Sequence, residues 1–543
     1  MREILCEIIN DHGTAICDDS DKFENLLRDK CDGKYKREVF MLTHALRENV
    51  AIDLLNPPQG LTQTALLSSL TQRLYDNLGF DKTLAEWAVR SWDLALNETS
   101  DSPDDALEFT DEFAKAYDLM EDTNHCVFIT GKAGTGKSTL LSYFKENTEK
   151  KIVVLAPTGV AALNVGGSTL HSFFRLPPRP LHHNEIKVVS PKRRKLYQSV
   201  DTIIIDEVSM VRADLMDVID RFMRLNGKTR KKPFGGAQMI FIGDLFQLPP
   251  VVSGDEEAKL FSTTYSSPFF FSAKVFDEIA LEYVELTKVF RHKEQEFRQL
   301  LNSIRNNQAA YSEIQRINQR YQPQFELDIK DYYITLTTTN NIASQINTAQ
   351  LEKLSKPQRQ FEGEIKGKFD KGAFPTDLVL SIKEGAQVMF VKNDNEGRWV
   401  NGTLGQIKKI KRDEIQVETP DKKTYTVKPV KWEIPSYKFD EKTQMVTTEV
   451  IGSFTQYPLK LAWAITIHKS QGKQFDKVII DLGWGAFAHG QLYVALSRCK
   501  TLEGLILKSQ VRPKDVIVDS RVKAFFSSPK QVISTGDLFQ GGE

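Results

Sequence analysis

The nine residues Gly131-Lys132-Ala133-Gly134-Thr135-Gly136-Lys137-Ser138-Thr139 constrain this chain more than any other segment. They fit G-x-x-x-x-G-K-[ST], directly after the apolar run HCVFIT (125–130) and before a helical stretch. Such a loop works only between a strand and a helix. Its glycines let backbone N–H groups curl around an oxyanion, and the helix N-terminus behind them adds partial positive charge. In that setting all nine residues are candidate nucleotide contacts. The Lys137 ammonium reaches the β- and γ-phosphates, and the Ser138 hydroxyl suits Mg²⁺.

A strand–loop–helix unit needs parallel strands beside it. The runs KIVVLAP (151–157), TIIID (202–206) and QMIFIG (238–243) alternate with helical stretches. The pattern resumes in YYITLTTT (332–339), KVIIDLG (477–483) and LEGLILK (502–508). The prediction is an α/β chain with two such units. Ile203-Ile204-Ile205 ends in Asp206-Glu207, and a strand end places both acids beside the loop. Asp206 would hold Mg²⁺ through water and Glu207 would polarise the attacking water.

Transfer of a γ-phosphoryl group gains most from charge aimed at its oxygens. An arginine delivered from another domain supplies that charge and also reports whether the cleft is closed. Arg291, in LTKVFRHKEQEF (286–297), and Arg498, in QLYVALSR (491–498), are the candidates. Gln247, in GDLFQLPP (243–250), carries an amide that can bond a γ-phosphate oxygen and the lytic water. Taken singly, each arginine also reads as a surface ion-pair partner.

The rest of the 543 residues divides around these units. Residues 1–97 read as helical: Leu67, Leu70, Leu74 and Leu78 repeat at helical spacing, as do Leu84, Ala88, Trp92 and Leu96. The polar, acidic stretch 98–106 reads as a linker. Residues 107–284 form the first α/β unit, and 285–384 with 456–526 form the second. Between those two pieces, 385–455 is rich in Lys, Val, Thr and Gly, with turn signals at Asn401-Gly402 and Pro420-Asp421-Lys422. It reads as a small β-barrel insert, and 527–543 as a frayed tail. The net charge of zero averages an acidic head (net −9 over residues 1–105) and a basic body (net +9), which permits a polyanionic partner. Five cysteines, at 6, 17, 31, 126 and 499, have no metal-site spacing. No run approaches the ~18 apolar residues of a membrane span, and MREILCEIIN has acids where a secretory leader is basic. The chain therefore reads as soluble and cytoplasmic.

Taken together, GKAGTGKST, APTGVAALNVGGSTLHSFF, IIIDEVSM, GDLFQLPPV, LTKVFR, AWAITIHKSQG and QLYVALSR, in this order and spacing, resemble a superfamily 1 helicase. The branch is that of the Pif (petite integration frequency) helicases, relatives of RecD, and VRADLMDVIDRFMR (211–224) resembles its signature segment. The match covers about residues 107–510. It implies two RecA-like P-loop domains with ATP in the cleft between them. It also implies a short hairpin insert near 175–198, an SH3-like barrel insert in the second domain, and DNA as substrate with 5′→3′ movement. Roles in DNA repair, recombination and telomere maintenance go with that branch. Residues 1–97 resemble a small helical module found at the N-termini of bacterial proteins. This implies a bacterial source and a protein partner for the module, beside the alternative of a solubilising cap, and the chain is then expected in a bacterial cytoplasm, associated with the nucleoid.

The resemblance carries over residue by residue. Lys137, Ser138, Asp206, Glu207, Gln247, Arg291 and Arg498 match the family's ATPase residues, with Gly472 on the nucleotide side. Pro157, Thr158, Gly159, His171, Ser172, Phe173, Phe246, Pro249, His468 and Ser470 match its DNA-facing positions. Phe173, Phe174 and Phe246 are candidates for base stacking, or equally for core. Departures are present too. Residues 100–130 lack the glutamine that relatives place upstream of the loop for adenine, and His292 replaces a glutamine after Arg291. Gln471-Gly472-Lys473-Gln474 stands where many relatives have Q-G-x-T. The basic runs 192–195 and 228–232 read either as phosphate contacts or as solvated loops.

The expectation is a monomeric ATP- and Mg²⁺-dependent DNA helicase acting on single-stranded DNA and forked duplex. A translocase that remodels protein–DNA complexes without unwinding, an RNA helicase and an ATP-gated scaffold are the rival readings.

Overall fold

The computed structural model of the chain describes residues 2–31, 35–56, 63–78, 82–96, 110–177, 179, 181, 185–252, 254–288, 294–326, 331–369, 371–394, 396–440, 443 and 445–527. The expected linker and tail, Arg291 and His292 lie outside these residues. The described part falls into two compact units, Met1–Thr110 and Asp111–Glu543.

The first unit is all-helical, with helices Arg2–His12, Ser20–Cys31, Lys36–Arg47, Val50–Leu55, Gln63–Leu78 and Lys82–Leu96. The helical leucine spacing places Leu70 and Leu74 fully inside, with Leu84, Ala88 and Trp92 beside them. Trp92 stacks obliquely on Phe23 at 5.0 Å, and its indole N–H donates to the Leu42 carbonyl at 3.1 Å. That bond satisfies the polar end of a buried aromatic.

The second unit is built on two parallel sheets. The first contains β1 (Cys126–Gly131), β2 (Ile152–Ala156), β3 (Ser168–Thr169), β4 (Thr202–Ile205), β5 (Gln238–Ile242) and β6 (Leu281–Leu286), in the order β3-β2-β4-β5-β1-β6. Every neighbouring pair is parallel. Its central strands are buried except for half-buried Cys126 at the start of β1, as β-branched runs covered on both faces must be. The second sheet orders Ala464–Thr466, Ile334–Thr337, Val478–Asp481 and Leu505–Leu507, again all parallel. The strands Ser168–Thr169, Leu281–Leu286 and Ala464–Thr466 are additions to the sequence reading. The first and last are too short for a period, and LEYVEL carries two acids among its apolar residues.

Three expectations about the chain's path change. Residues 175–198 were expected to hold a hairpin insert. The described part of that segment contains no strand, and Pro191–Ser199 is a helix with Pro191 at its start. The reason is composition: KRRKLYQS is mostly straight-chain helix formers, with Leu196 and Tyr197 buried as its apolar anchor. Second, the β-rich insert starts well before 385. Arg359–Glu362 pairs with Val379–Ile382, and Glu364–Gly367 joins a long hairpin, Val430–Asp440 with Met445–Gln456. A five-stranded antiparallel sheet, including Leu459–Leu461, occupies the middle of the expected span and packs around Phe390, Trp399, Ile407 and Val417. Third, the helix Ser520–Ser527 was placed with the second α/β piece but packs on the first sheet. Phe525 stacks on Phe271 at 4.4 Å, and Phe526 on Phe246 at 5.4 Å. Two adjacent phenylalanines and Val522 make one apolar face, and the first core accepts it.

The long hairpin also ties the insert to the first sheet. Val154 N–H donates to the Tyr437 hydroxyl at 3.1 Å, and Tyr437, Phe439 and Val446 pack against the first core. Val154 lies on the side of β2 where β3 is only two residues long, so the phenol caps a polar group the sheet leaves unpaired.

Candidate active site

The phosphate loop leaves β1 and enters the helix Lys137–Asn147. Gly131, Gly134 and Gly136 all have positive φ, and a Cβ on Gly131 would stand 2.6 Å from the Leu286 carbonyl. Only glycine fits that corner. Lys137 Nζ donates to the loop's own carbonyls at Gly131 (2.7 Å) and Lys132 (2.9 Å). The Thr135 hydroxyl donates to Lys132 O at 3.0 Å. The Ala133 N–H points at the Tyr493 hydroxyl (3.4 Å), which comes from the helix Gln491–Leu496 of the second sheet. The loop is thus closed on itself and on one residue of the second sheet, with donors that a phosphate can recruit.

Asp206 and Glu207 follow β4, two strands from β1 with β5 between. Both carboxyls are held above the ordinary carboxylate range. For Asp206 the cause is burial, relieved in part by the Glu207 N–H and Lys137. For Glu207 it is burial and then the Asp206 charge, opposed by Lys137 and Arg498. Glu207 also sits at φ 51°, a left-handed conformation that a non-glycine residue adopts at some cost. Two half-buried acids next to a lysine, both resisting ionisation, are a donor set that a hard divalent cation would stabilise. Among the described residues no group of three or more His, Cys, Asp or Glu gathers as a metal cage.

The second sheet brings charge to this place. Arg498 is fully buried, and Glu207 feels its charge. Its guanidinium donates to carbonyls of Val494 (3.0 Å), Ser470 (3.3 Å) and Lys473 (3.2 Å) and to the Ser497 hydroxyl (2.8 Å). Sequence reading missed Arg305, at the end of the helix Gln295–Arg305. Its guanidinium pairs with Asp244 at 3.0 Å and lies 4.2 Å over the Phe246 ring. Asp244 in turn accepts from the Gln247 amide (3.3 Å) and the Phe246 N–H (3.1 Å). Arg305 and Lys137 hold the buried Asp244 carboxyl below its ordinary range against burial. Gln247 is therefore turned onto Asp244 in this state. His489 adds a further tie. Its Nδ1 accepts from the Asp519 N–H (2.9 Å), so Nε2 carries the proton and donates to the Leu245 carbonyl (2.7 Å).

The strand-facing candidates divide. Pro157, Thr158 and His171 line one cavity of about 250 Å³ together with Arg212, Met210 and Leu215. Gly159 and Ser172 line a second, of about 410 Å³, facing Lys368, Phe369 and Pro435 of the β-rich region. The hydroxyls of Thr158 and Thr169 cap the two short helices that carry these residues. Phe246, Pro249 and His468 are half-buried. Phe173 and Phe174 are not available for base stacking: both are buried against Tyr197, and Phe174 also against Phe222. The apolar core outcompetes a solvent-facing role for rings at those positions. Ser470 is likewise fully buried, with its hydroxyl donating to Ile467 O at 2.7 Å, so its side chain offers nothing to a strand. Gly472 is exposed at φ 75°.

Residues 108–315 match the PIF1-like helicase family, and 461–506 match the UvrD-like helicase C-terminal domain. The ATP-dependent DNA helicase PIF1 of Rattus norvegicus is 35% identical over 415 residues, 75% of this chain and 62% of that protein. The chain therefore spans less than two thirds of that relative's length. The ATP-dependent DNA helicase Pif1 of Bdellovibrio bacteriovorus is 31% identical over 429 residues, 77% of this chain and 92% of its own. The crystal structure of Bacteroides sp Pif1 in complex with ADP-AlF4 matches with a TM-score of 0.72 and 38% identity, covering 78% of this chain and 97% of that one. With its phosphate loop, its acid pair and the buried arginines at the ends of helices beside a second parallel sheet, the chain belongs to the PIF1-like helicase family.

Proposed function

We propose that this chain is a monomeric DNA helicase that couples ATP hydrolysis to 5′→3′ movement on single-stranded DNA and opens a forked duplex ahead of it. One observation carries the reading. Two parallel sheets share one site, where Tyr493, Arg498 and Arg305 from elements of the second meet Lys137, Glu207 and Asp244 from the first. A nucleotide bound there touches both, so its hydrolysis changes how they sit together. The similar Bacteroides protein holds ADP-AlF4, and the similar curated relatives are named ATP-dependent DNA helicases.

In this reading ATP takes the phosphate-loop N–H groups and displaces Lys137 from the Gly131 and Lys132 carbonyls. Ser138 and Asp206 would hold Mg²⁺, which would neutralise phosphate charge there. Glu207 takes the proton of the attacking water, and Gln247 leaves Asp244 to orient that water. Arg498, with Arg291, neutralises charge on the γ-phosphoryl oxygens. Pro157, Thr158, Gly159, His171, Ser172, Phe246, Pro249 and His468 face the strand. The helical module at 1–97 takes a protein partner, and the enzyme works at the nucleoid in a bacterial cytoplasm. No helix among the described residues is long and apolar enough to cross a membrane.

Unwinding of forked duplexes with a 5′ or a 3′ single-stranded tail tests the reading. Strand separation only with the 5′ tail and ATP is the expected result. Strand-stimulated ATPase with no separation on either fork would favour the translocase reading, and hydrolysis indifferent to nucleic acid would favour the scaffold.

A further inference from the structure

The helix Ser520–Ser527 ends in two adjacent phenylalanines that do different things. Phe525, with Val522, is buried and closes the first core. Phe526 is half-buried, and its ring lies on the Phe246 ring, 5.4 Å away and 6° from parallel. Its other ring neighbours are Tyr283, edge-on at 5.7 Å, Phe128 at 6.4 Å and Phe525. Phe246 also lies beneath the Arg305 guanidinium. Tyr283 donates to Glu285 at 3.0 Å, and Glu285 stands 3.8 Å from the same guanidinium. Phe526 therefore belongs to an aromatic and charged cluster at the rim of the core, gathered around Asp244.

The later part of the chain grips the loop Asp244–Gln247 at three successive residues. His489 Nε2 donates to the Leu245 carbonyl at 2.7 Å. Phe526 stacks on Phe246. Gly490, at φ 69°, lies against the backbone that follows, where a Cβ would stand 2.5 Å from the Gln247 carbonyl. Only glycine lets the two segments approach so closely. The three grips are tied to one another. Asp519 N–H donates to His489 Nδ1 at 2.9 Å, and Gly490 N–H donates to the Ile517 carbonyl at 3.0 Å. Arg521 fastens the helix to the first unit's Ser266 carbonyl at 3.3 Å. Within the loop, the Phe246 N–H and the Gln247 amide converge on the Asp244 carboxylate. Phe246 and Gln247 also share one planar peptide, so a displaced Phe246 takes Gln247 with it.

We propose that Phe526 is a positioning residue for ATP hydrolysis: stacked on Phe246, it seats the loop so that the Gln247 amide can turn from Asp244 to the attacking water. The inference rests on the reading of Gln247 as the amide that orients that water. It assigns the helix Ser520–Ser527 a part in turnover as well as in closing the core. An aromatic pair suits the task, since it fixes the distance and tilt of Phe246 and adds no polar group that would compete with Asp244 for the amide.

Steady-state ATP hydrolysis by the full chain, with saturating oligo-dT and below the thermal midpoint of each variant, tests this. Phe526→Ala is expected to lower kcat by about 10- to 100-fold, the scale for a reacting group misplaced by about 1 Å, with the KM for ATP and the oligonucleotide affinity unchanged. Phe526→Tyr keeps the stacked ring and should restore kcat. Added to Gln247→Ala, Phe526→Ala should lower kcat little further, because the two changes remove one function. Should the alanine variant fail to fold, Phe526→Leu fills the space without a stacked face, and the same fall and the same non-additivity are expected of it. A folded Phe526→Ala or Phe526→Leu chain with unaltered kcat overturns the proposal. So does a double variant whose loss equals the product of the single losses, and so does a loss confined to KM or to oligonucleotide affinity. A Gln247→Ala chain that turns over at the original rate overturns the water-orienting reading itself, a result distinct from these.

Discussion

Arg305 and Asp244 form an ion pair 3.0 Å long that is buried at both ends and joins a helix beside the second sheet to the loop after β5 of the first. The arginine also covers the Phe246 ring, and the aspartate holds the Gln247 amide. One pair therefore links how the two sheets sit to where a water-orienting amide points.

Breaking that pair from one side should cost more than removing it whole. Arg305→Met leaves the Asp244 carboxylate buried without its cation, at a cost of about 3–5 kcal/mol. Asp244→Asn strands the guanidinium to a similar extent. The double variant should lose clearly less than the sum of the singles in urea unfolding. Additive losses would mean that the two residues stabilise the fold independently.

Lys137→Ala removes the ammonium that lies inside the phosphate loop, against the Gly131 and Lys132 carbonyls. Turnover of ATP should fall by at least about 100-fold, the scale for losing one charge-stabilising donor. Binding of a single-stranded oligonucleotide should stay within a few-fold, because the strand candidates lie on other elements. Strand-stimulated hydrolysis near the original rate would disprove the assignment.

Glu207→Gln should abolish most hydrolysis while retaining ATP binding, and it should also stabilise the nucleotide-free protein. The sign follows from linkage. The Glu207 carboxyl is held above its ordinary range, so the folded state favours the proton, and stability is lost as pH rises past the ordinary carboxylate range. A glutamine escapes that loss. The unfolding free energy of the variant should exceed that of the unaltered chain at pH 8 by on the order of 1 kcal/mol, and the gap should close near pH 4.5. A gap independent of pH would point to packing instead.

Arg498→Ala should lower kcat for ATP by about 10³-fold or more with a smaller change in KM, as loss of an arginine acting on the transition state does. Equal damage to nucleotide binding and turnover would make Arg498 a binding residue. The same variant frees the carbonyls of Ser470 and Lys473, so circular dichroism melts should accompany the kinetics.

His489 should make the tie between the sheets acid-sensitive. Burial lowers its pKa, and the neutral ring is required, because Nδ1 accepts from Asp519 N–H while Nε2 donates to Leu245. Asp519 and Asp244 pull the other way, and Arg521 reinforces burial. A depressed histidine contributes stability above its ordinary pKa of about 6.5 and loses it as pH falls through its folded value. Between pH 7 and 5.5 the thermal midpoint of the unaltered chain should drop more steeply than that of His489→Gln. Parallel curves would exclude the histidine as the sensor.

The sequence by itself determined the local features. Glycines at 131, 134 and 136 with Lys137 dictate a strand–loop–helix corner, because backbone freedom and a helix start are properties of adjacent residues. Isoleucines 203–205 dictate a buried strand that ends in an acid pair for the same reason. The order of motifs was equally legible, and it carried the family. Only the tertiary structure decided which side chains face the site. Nothing in QEFRQLLNSIR distinguishes Arg305 from a basic residue on a surface helix, yet packing buries it on Asp244. Phe173 and Ser470 match strand-facing motifs and Phe174 is a stacking candidate, but all three are drawn into the interior, where apolar burial and a backbone acceptor hold them. The helix Ser520–Ser527 follows the second sheet in the chain and packs on the first. Most of these contacts join residues tens to hundreds of positions apart, and short-range propensity contains no term for them; they are settled by which surfaces exclude water together when the whole chain collapses.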